Sequence, residues 1–330
     1  MRVPAAQEHE QDDLPDGLPC CFAGAAHQQT LPAPALDDVD GVRVGDDLPP
    51  VFDAHVHVFP PKLFEAVWRW FDVNGWPIRH KLHADDVVAF LKTRGIAGCL
   101  LLHYAHKPGI AREMNRFVAD VAARSEGFAH GTATVCPGEP DQVAILEEAF
   151  ALGLSGIKLH CHVQGVAVDD DRLFPLYELC QQRDEPVVVH AGREPWSAAL
   201  PVDPHAICDV ERTARVLRAF PHLRVVVPHL GADEFAEYAA LMCQHENLWL
   251  DTTMMVAGYF SALEKGGAVD DDDNDWIRFV MARPERVLYG SDFPGLPYAW
   301  DREIKALTRG LKDPILEAVL GDNARALFKT

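Results

Sequence analysis

A chain of 330 residues with a hydrophobic share of 48% can bury a sizeable core, as one large α/β domain or two smaller ones. Its formal net charge of −20 argues against a nucleic-acid or anionic-membrane surface, where basic patches are needed. Eight cysteines without a CxxC pair fit reduced thiols. The start "MRVPAAQEHEQDD" lacks the apolar core of a secretory signal, and no apolar run approaches the roughly 20 residues of a membrane span, so the expected location is the cytoplasm.

Residues 1–50 are rich in Pro, Asp, Gln and Ala with little hydrophobic periodicity, and read as an irregular N-terminal extension. "GVRV" (41–44) is a candidate short strand within it. The adjacent Cys20 and Cys21 read as loop thiols, with metal binding the alternative. After Pro50 a rhythm begins. Short β-branched runs recur at 51–57, 98–104, 129–135, 156–160, 186–192, 224–231, 248–253 and 287–292. Between most of them lie segments with helical spacing, such as 85–95, 139–153, 171–183 and 208–220. Strands alternating with helices predict right-handed βαβ units and a parallel sheet covered on both faces. Eight strands over about 240 residues predict a distorted (β/α)8 barrel spanning 51–330. A doubly wound sheet is disfavoured because "HVFPPK", not a glycine-rich phosphate loop, follows the first strand. "DDDD" (270–273) reads as a solvated loop, since it lacks the spacing of an EF-hand.

In a (β/α)8 barrel the site forms at the C-terminal strand ends. His55 and His57 end strand 1, and His103 lies near the end of strand 2. Lys158 and His160 end strand 4, His190 strand 5, His229 strand 6 and Asp292 strand 8. Sixteen histidines produce an H-x-H pair about once by chance, so "HVH" or "HCH" alone carries little. Histidines at the same end of four strands, with a carboxylate on another, point to a metal site. Neutral imidazoles and one carboxylate suit Zn²⁺, with Mn²⁺, Fe²⁺ or Co²⁺ as alternatives. Three His and one Asp leave a position for water, whose pKa the metal lowers toward ~7.

The set "DAHVHVFP", "GIKLHCHVQG", "PVVVHAG", "VVVPHLG", "LYGSDFP" and "GDNARALF", in this order over 51–328, resembles the amidohydrolase superfamily. Within it the chain is similar to the amidohydrolase-2 group, which includes relatives of aminocarboxymuconate-semialdehyde decarboxylase. The resemblance implies a TIM barrel with metal ligands His55, His57, His190 and Asp292, and one ion, with two as the alternative. It gives Asp292 a second role as general base, and His229 a role on the substrate or the metal-bound water. Lys158 is either carbamylated and bridging two ions, or an ammonium facing a carboxylate or an anionic substrate; a paired lysine in the barrel interior is the bland reading. His160, on the same strand face, is a candidate for substrate or a second metal. Cys161 is expected to pack under a helix.

Three further residues are candidate substrate contacts. His103 lies on the rim, and Arg193 either clamps a carboxylate or forms a surface salt bridge. Trp76 belongs to the insertion 62–83, with Trp68 and Trp70; this segment reads equally as a lid over the mouth or as a homodimer contact. The leading expectation is hydrolysis of an amide, lactone or ester of a small, anionic substrate. The alternative is non-oxidative decarboxylation of an unsaturated or aromatic acid; "DAHVHVFP" leans that way, while "GIKLHCHVQG" looks hydrolase-like. A barrel that keeps its metal only for structure or sensing is a third reading, disfavoured by the open coordination position.

Overall fold

The computed structural model describes residues 31–193, 197, 199–200, 202–259 and 275–330. Cys20, Cys21 and the 270–273 tract lie outside the described residues. Eight strands follow the predicted order: β1 Phe52–His57, β2 Gly98–Leu102, β3 Ala129–Gly131, β4 Ile157–His160, β5 Val187–His190, β6 Val225–Val227, β7 Leu248–Asp251 and β8 Val287–Leu288. Every pairing is parallel, within a three-stranded sheet β1-β2-β3 and a five-stranded sheet β4 to β8. Two isolated parallel bridges, Ala133↔Ile157 and Val56↔Phe293, join the sheets at both seams. There Lys158 N donates to Ala133 O at 2.8 Å and His57 N to Phe293 O at 2.8 Å. The strands therefore run round a ring, with thin ladders at the seams.

Alternation sorts the side chains into two layers. Phe52, Ala54, Leu100, Leu102, Val188, Val226 and Leu288 pack together inside the ring. The intervening Cys99, Leu101, Val187, Val189, Val225 and Val227 pack outward against the helices. Helix Ala111–Arg124, for example, buries Met114, Val118 and Val121, which recur at i, i+4 and i+7 on one face. Each such side chain contributes about 1.5–3 kcal/mol when fully buried. Ala324, Leu327 and Phe328 of the last helix, Asn323–Phe328, join the inner cluster beside Phe52, at the end where the strands begin. That plug leaves the opposite end, where the strands finish, for chemistry.

Residues 31–50 hold no helix or strand. "GVRV" is thus not a strand: Val44 N reaches a single carbonyl, Arg94 O at 2.7 Å, and Val42 is 89% exposed, so no sheet edge lies beside it. The predicted strands at 129–135 and 287–292 are shorter than expected, because each leaves its ladder to form a seam or the site. The insertion after β1 is a helix, Pro61–Asn74, with proline at its first position where no intrahelical N–H is needed. Phe64, Trp68 and Trp76 are buried within this chain. No helix among the described residues is long and apolar enough to cross a membrane.

Candidate metal centre

The first pair of histidines owes its direction to a defect in the ladder. The β1–β2 register shifts between Asp53 and Val56. Phe52 and Ala54 point inward, Val56 points outward, and His57 is paired with the inward Leu102. The extra residue lets His55 turn inward as well. Its Nε2 lies 3.2 Å from His57 Nε2. Beyond β8 the chain turns at Asp292, whose φ of +70° lies in the left-handed region that non-glycine residues rarely occupy. Asp292 N donates to His55 O at 2.9 Å, and this bond fixes the turn over β1. Gly290 permits the approach: a Cβ there would sit 2.7 Å from His55 Cβ and 2.6 Å from Thr253 Oγ1.

Asp292 Oδ1 lies 3.1 Å from His57 Nε2 and 3.4 Å from His55 Nε2. His55, His57 and Asp292 thus offer three ligand atoms within 4.8 Å of one another. His55 Nδ1 is hydrogen-bonded to Asp251 Oδ2 at 2.7 Å, so this nitrogen carries the proton and Nε2 presents a bare lone pair. A bare imidazole nitrogen facing a carboxylate oxygen repels it. A proton on His57 Nε2 relieves only part of that repulsion, whereas a divalent cation satisfies all three atoms at once. Burial, then the charge of Lys158, push the His55 pKa well below its ordinary value, which keeps it a neutral ligand. Burial alone would push Asp292 up. The hydrogen bond from His57 and the neighbouring His57, His55 and His229 rings outweigh it and hold Asp292 as a carboxylate. The donor set therefore fits a first-row divalent ion.

The other expected residues divide. His190 ends β5 with its ring 4.6 Å from that of His229, and His229 stands 5.7 Å from His55, so both belong to the same rim. His190 is not part of the three-residue group that draws its ligand atoms together. Lys158 is fully buried, paired in register with the inward Val188. His160 and His190 are register partners whose rings stack at 4.2 Å. Cys161 is buried in the outer core, but it opens a short helix, Cys161–Gln164, instead of standing on the far face of the strand under one.

Three expected contacts have partners of other kinds. His103 continues the outward parity of Leu101 and bonds Asn115 Oδ1 at 3.0 Å. Arg193 Nε donates to Cys208 O at 3.0 Å and lies 3.7 Å from Glu234. Trp76 Nε1 donates to Gly295 O at 2.7 Å, tying the β1 insertion to the loop after Asp292.

Sequence reasoning assigned no role to Asp251, His162 or Tyr104, although it placed His162 beyond the strand, where alternation no longer gives a direction. Asp251 ends β7, so the rim test that found the histidines also covers it; only its apolar context, "LWLD", hid it. His162 sits in a short helix, Cys161–Gln164, that ends at Gly165 with φ +62°. Gln164 fixes that turn by donating to Ala105 O and Val135 O at 2.9 and 2.8 Å. The helix brings the buried His162 ring within 4.7 Å of His190, a placement that strand alternation cannot give. Tyr104 packs edge-on against His160 at 4.7 Å and against His57 at 5.8 Å.

With this geometry in hand, comparison with known proteins gives a consistent picture. The chain is 27% identical over 187 residues to 2-amino-3-carboxymuconate-6-semialdehyde decarboxylase of Dictyostelium discoideum, a stretch covering 50% of this chain and 50% of that protein. The match thus spans about half the length of that relative. An uncharacterised TIM-barrel protein from Bordetella bronchiseptica superposes with a TM-score of 0.60 at 20% identity, covering 84% of this chain and 98% of that one. The 5-carboxyvanillate decarboxylase of Novosphingobium aromaticivorans, solved with manganese and a nitrobenzoic acid, gives a TM-score of 0.62 at 16% identity over 88% of this chain and 99% of that one. At such identities the two structures show the fold, a (β/α)8 barrel. Residues 52–330 match the family designated Amidohydro_2, and the chain belongs to this amidohydrolase family.

Proposed function

We propose that this chain is a metal-dependent decarboxylase that removes CO2, without net oxidation, from a small unsaturated or aromatic carboxylic acid. The convergence of His55, His57 and Asp292 beside His229 carries the reading. The decarboxylases among the relative and the structural neighbours favour it over hydrolysis. A divalent ion such as Mn²⁺ or Zn²⁺, held by His55, His57 and Asp292 with His190 as a further ligand, would supply Lewis-acid attraction for the substrate's oxygens.

The remaining steps belong to the chain's own groups. Lys158 and His160, on the inward face of β4, are assigned to the substrate's negative charge. His229 Nδ1 lies 3.1 Å from Thr253 O, and a carbonyl only accepts, so Nδ1 carries a proton and Nε2 is the nitrogen left for the substrate. Protonated there, His229 delivers the proton to the carbon that bears the carboxylate. The C–C bond pair then returns to the conjugated system as CO2 leaves, so that RCO2⁻ and H⁺ give RH and CO2. Asp292, kept ionised, stabilises the cationic His229 until that proton is transferred.

A panel of hydroxybenzoic and unsaturated dicarboxylic acids, incubated with the Mn²⁺-loaded protein in D2O and in ¹⁸O-water, tests this. The expected result is CO2 release, with one deuterium at the vacated carbon and no ¹⁸O in the organic product. Label entering the organic product without CO2 release supports hydrolysis and overturns the proposal.

A further inference from the structure

We infer that Asp251 is a positioning residue that sets the tautomers of His55 and His229 together, so that ion binding and proton delivery depend on one carboxylate. The inference deepens the proposed function and rests on its reading of His55 as a metal ligand. Asp251 is 1% exposed at the end of β7. Its Oδ2 accepts from His55 Nδ1 at 2.7 Å, while its Oδ1 accepts from the backbone N–H of His229 at 3.0 Å and of Thr253 at 3.2 Å. Thr253 in turn offers its carbonyl to His229 Nδ1 at 3.1 Å. Both rings therefore carry their protons on Nδ1 and turn Nε2 toward the centre.

The same bonds hold the backbone. His229 and Leu230 have φ of +58° and +49°, a strained conformation for non-glycine residues that persists only where the surroundings enforce it. The Oδ1 bond to His229 N is one such constraint. A carboxylate suits this position because all its partners donate. Asn cannot replace it: one end of its amide accepts but the other only donates. With the amide nitrogen toward His55, His55 must accept at Nδ1 and move its proton to Nε2, where the ion would sit. With the amide reversed, two backbone N–H groups face an N–H.

Two measurements on the full chain test the inference. The first is Mn²⁺ affinity by competition with a chelator, in the wild type and in Asp251→Asn, with circular dichroism to establish that the variant is folded. A 10- to 100-fold loss of affinity is expected, the usual range for a lost ligand-orienting partner. The second needs no variant: ¹⁵N spectra of histidine-labelled, chelator-treated wild type should show His55 and His229 protonated at Nδ1. In Asp251→Asn both signals should change, although His229 is not assigned as a ligand. Folded Asp251→Asn that binds Mn²⁺ like the wild type overturns the inference alone, as does His55 protonated at Nε2 in the wild type. A wild type that takes up no Mn²⁺ overturns the metal reading and the inference with it.

Discussion

His57 and His103 are imidazoles near the C-terminal ends of neighbouring strands, yet they serve opposite layers. His57 shares a face with Leu102 and reaches Asp292, whereas His103, one residue beyond the end of β2, faces outward to Asn115. Burial pushes the His103 pKa down to about 4, against the opposing bond to Asn115. Between pH 6.5 and 4 the unfolded chain takes up a proton that the folded chain refuses, so folding stability falls as pH drops through this window. The loss from this group is on the order of 3 kcal/mol. His103→Gln should lose that component, and urea titrations of both proteins at pH 7 and pH 4.5 measure the difference. At Asp292 the expectation concerns chemistry. Asp292→Asn should cut turnover at least ~10²-fold and weaken ion binding while leaving circular dichroism unchanged; an unaltered rate would remove Asp292 from its assigned role.

The irregular segment 31–50 shows what an element without secondary structure contributes. Asp38 Oδ1 accepts from Arg79 at 2.8 Å and from Ala299 N at 3.0 Å, and Oδ2 from Arg302 at 3.1 Å. Asp40 Oδ1 accepts from Trp300 N at 3.2 Å, and Tyr259 donates to Pro34 O at 2.8 Å. The segment thus binds the insertion after β1 to the loops that follow β7 and β8, on the side of the barrel that carries Asp292. It precedes the family match, which starts at residue 52. Asp38→Ala removes the carboxylate shared by Arg79, Ala299 N and Arg302 and should cost about 1–3 kcal/mol, although Arg79 keeps its bonds to Leu36 O and Asp38 O. It should also raise hydrogen exchange at residues 75–80 and 295–302. Protection there equal to wild type would show that the strap holds nothing.

At the scale of the whole molecule, the plugged apolar cluster inside the ring does not depend on the ion. Phe52, Leu100, Leu102, Val188 and Leu288 are each at most 1% exposed. Protein as isolated should hold divalent metal. Chelation should abolish turnover and lower folding stability by no more than the ion's binding free energy, with far-ultraviolet circular dichroism retained. Unfolding on chelation would instead mark a structural metal.

The strand–helix alternation made the barrel legible, because apolar periodicity follows directly from burial in two layers. The rim placement of His55, His57, His190, His229 and Asp292 followed from the same count, since a parallel barrel puts every strand end at one mouth. Three things needed the tertiary structure. The register shift that turns His55 inward is a property of pairing with β2, and composition carries no trace of it. The outward parity of His103 depended on where β2 ends relative to its neighbours. Asp251 acquired its partners from β1 and from the turn after β6, 196 and 22 residues away in sequence. Local sequence encodes which face a residue takes on its own element; which atoms then meet is decided by how the elements are registered against one another.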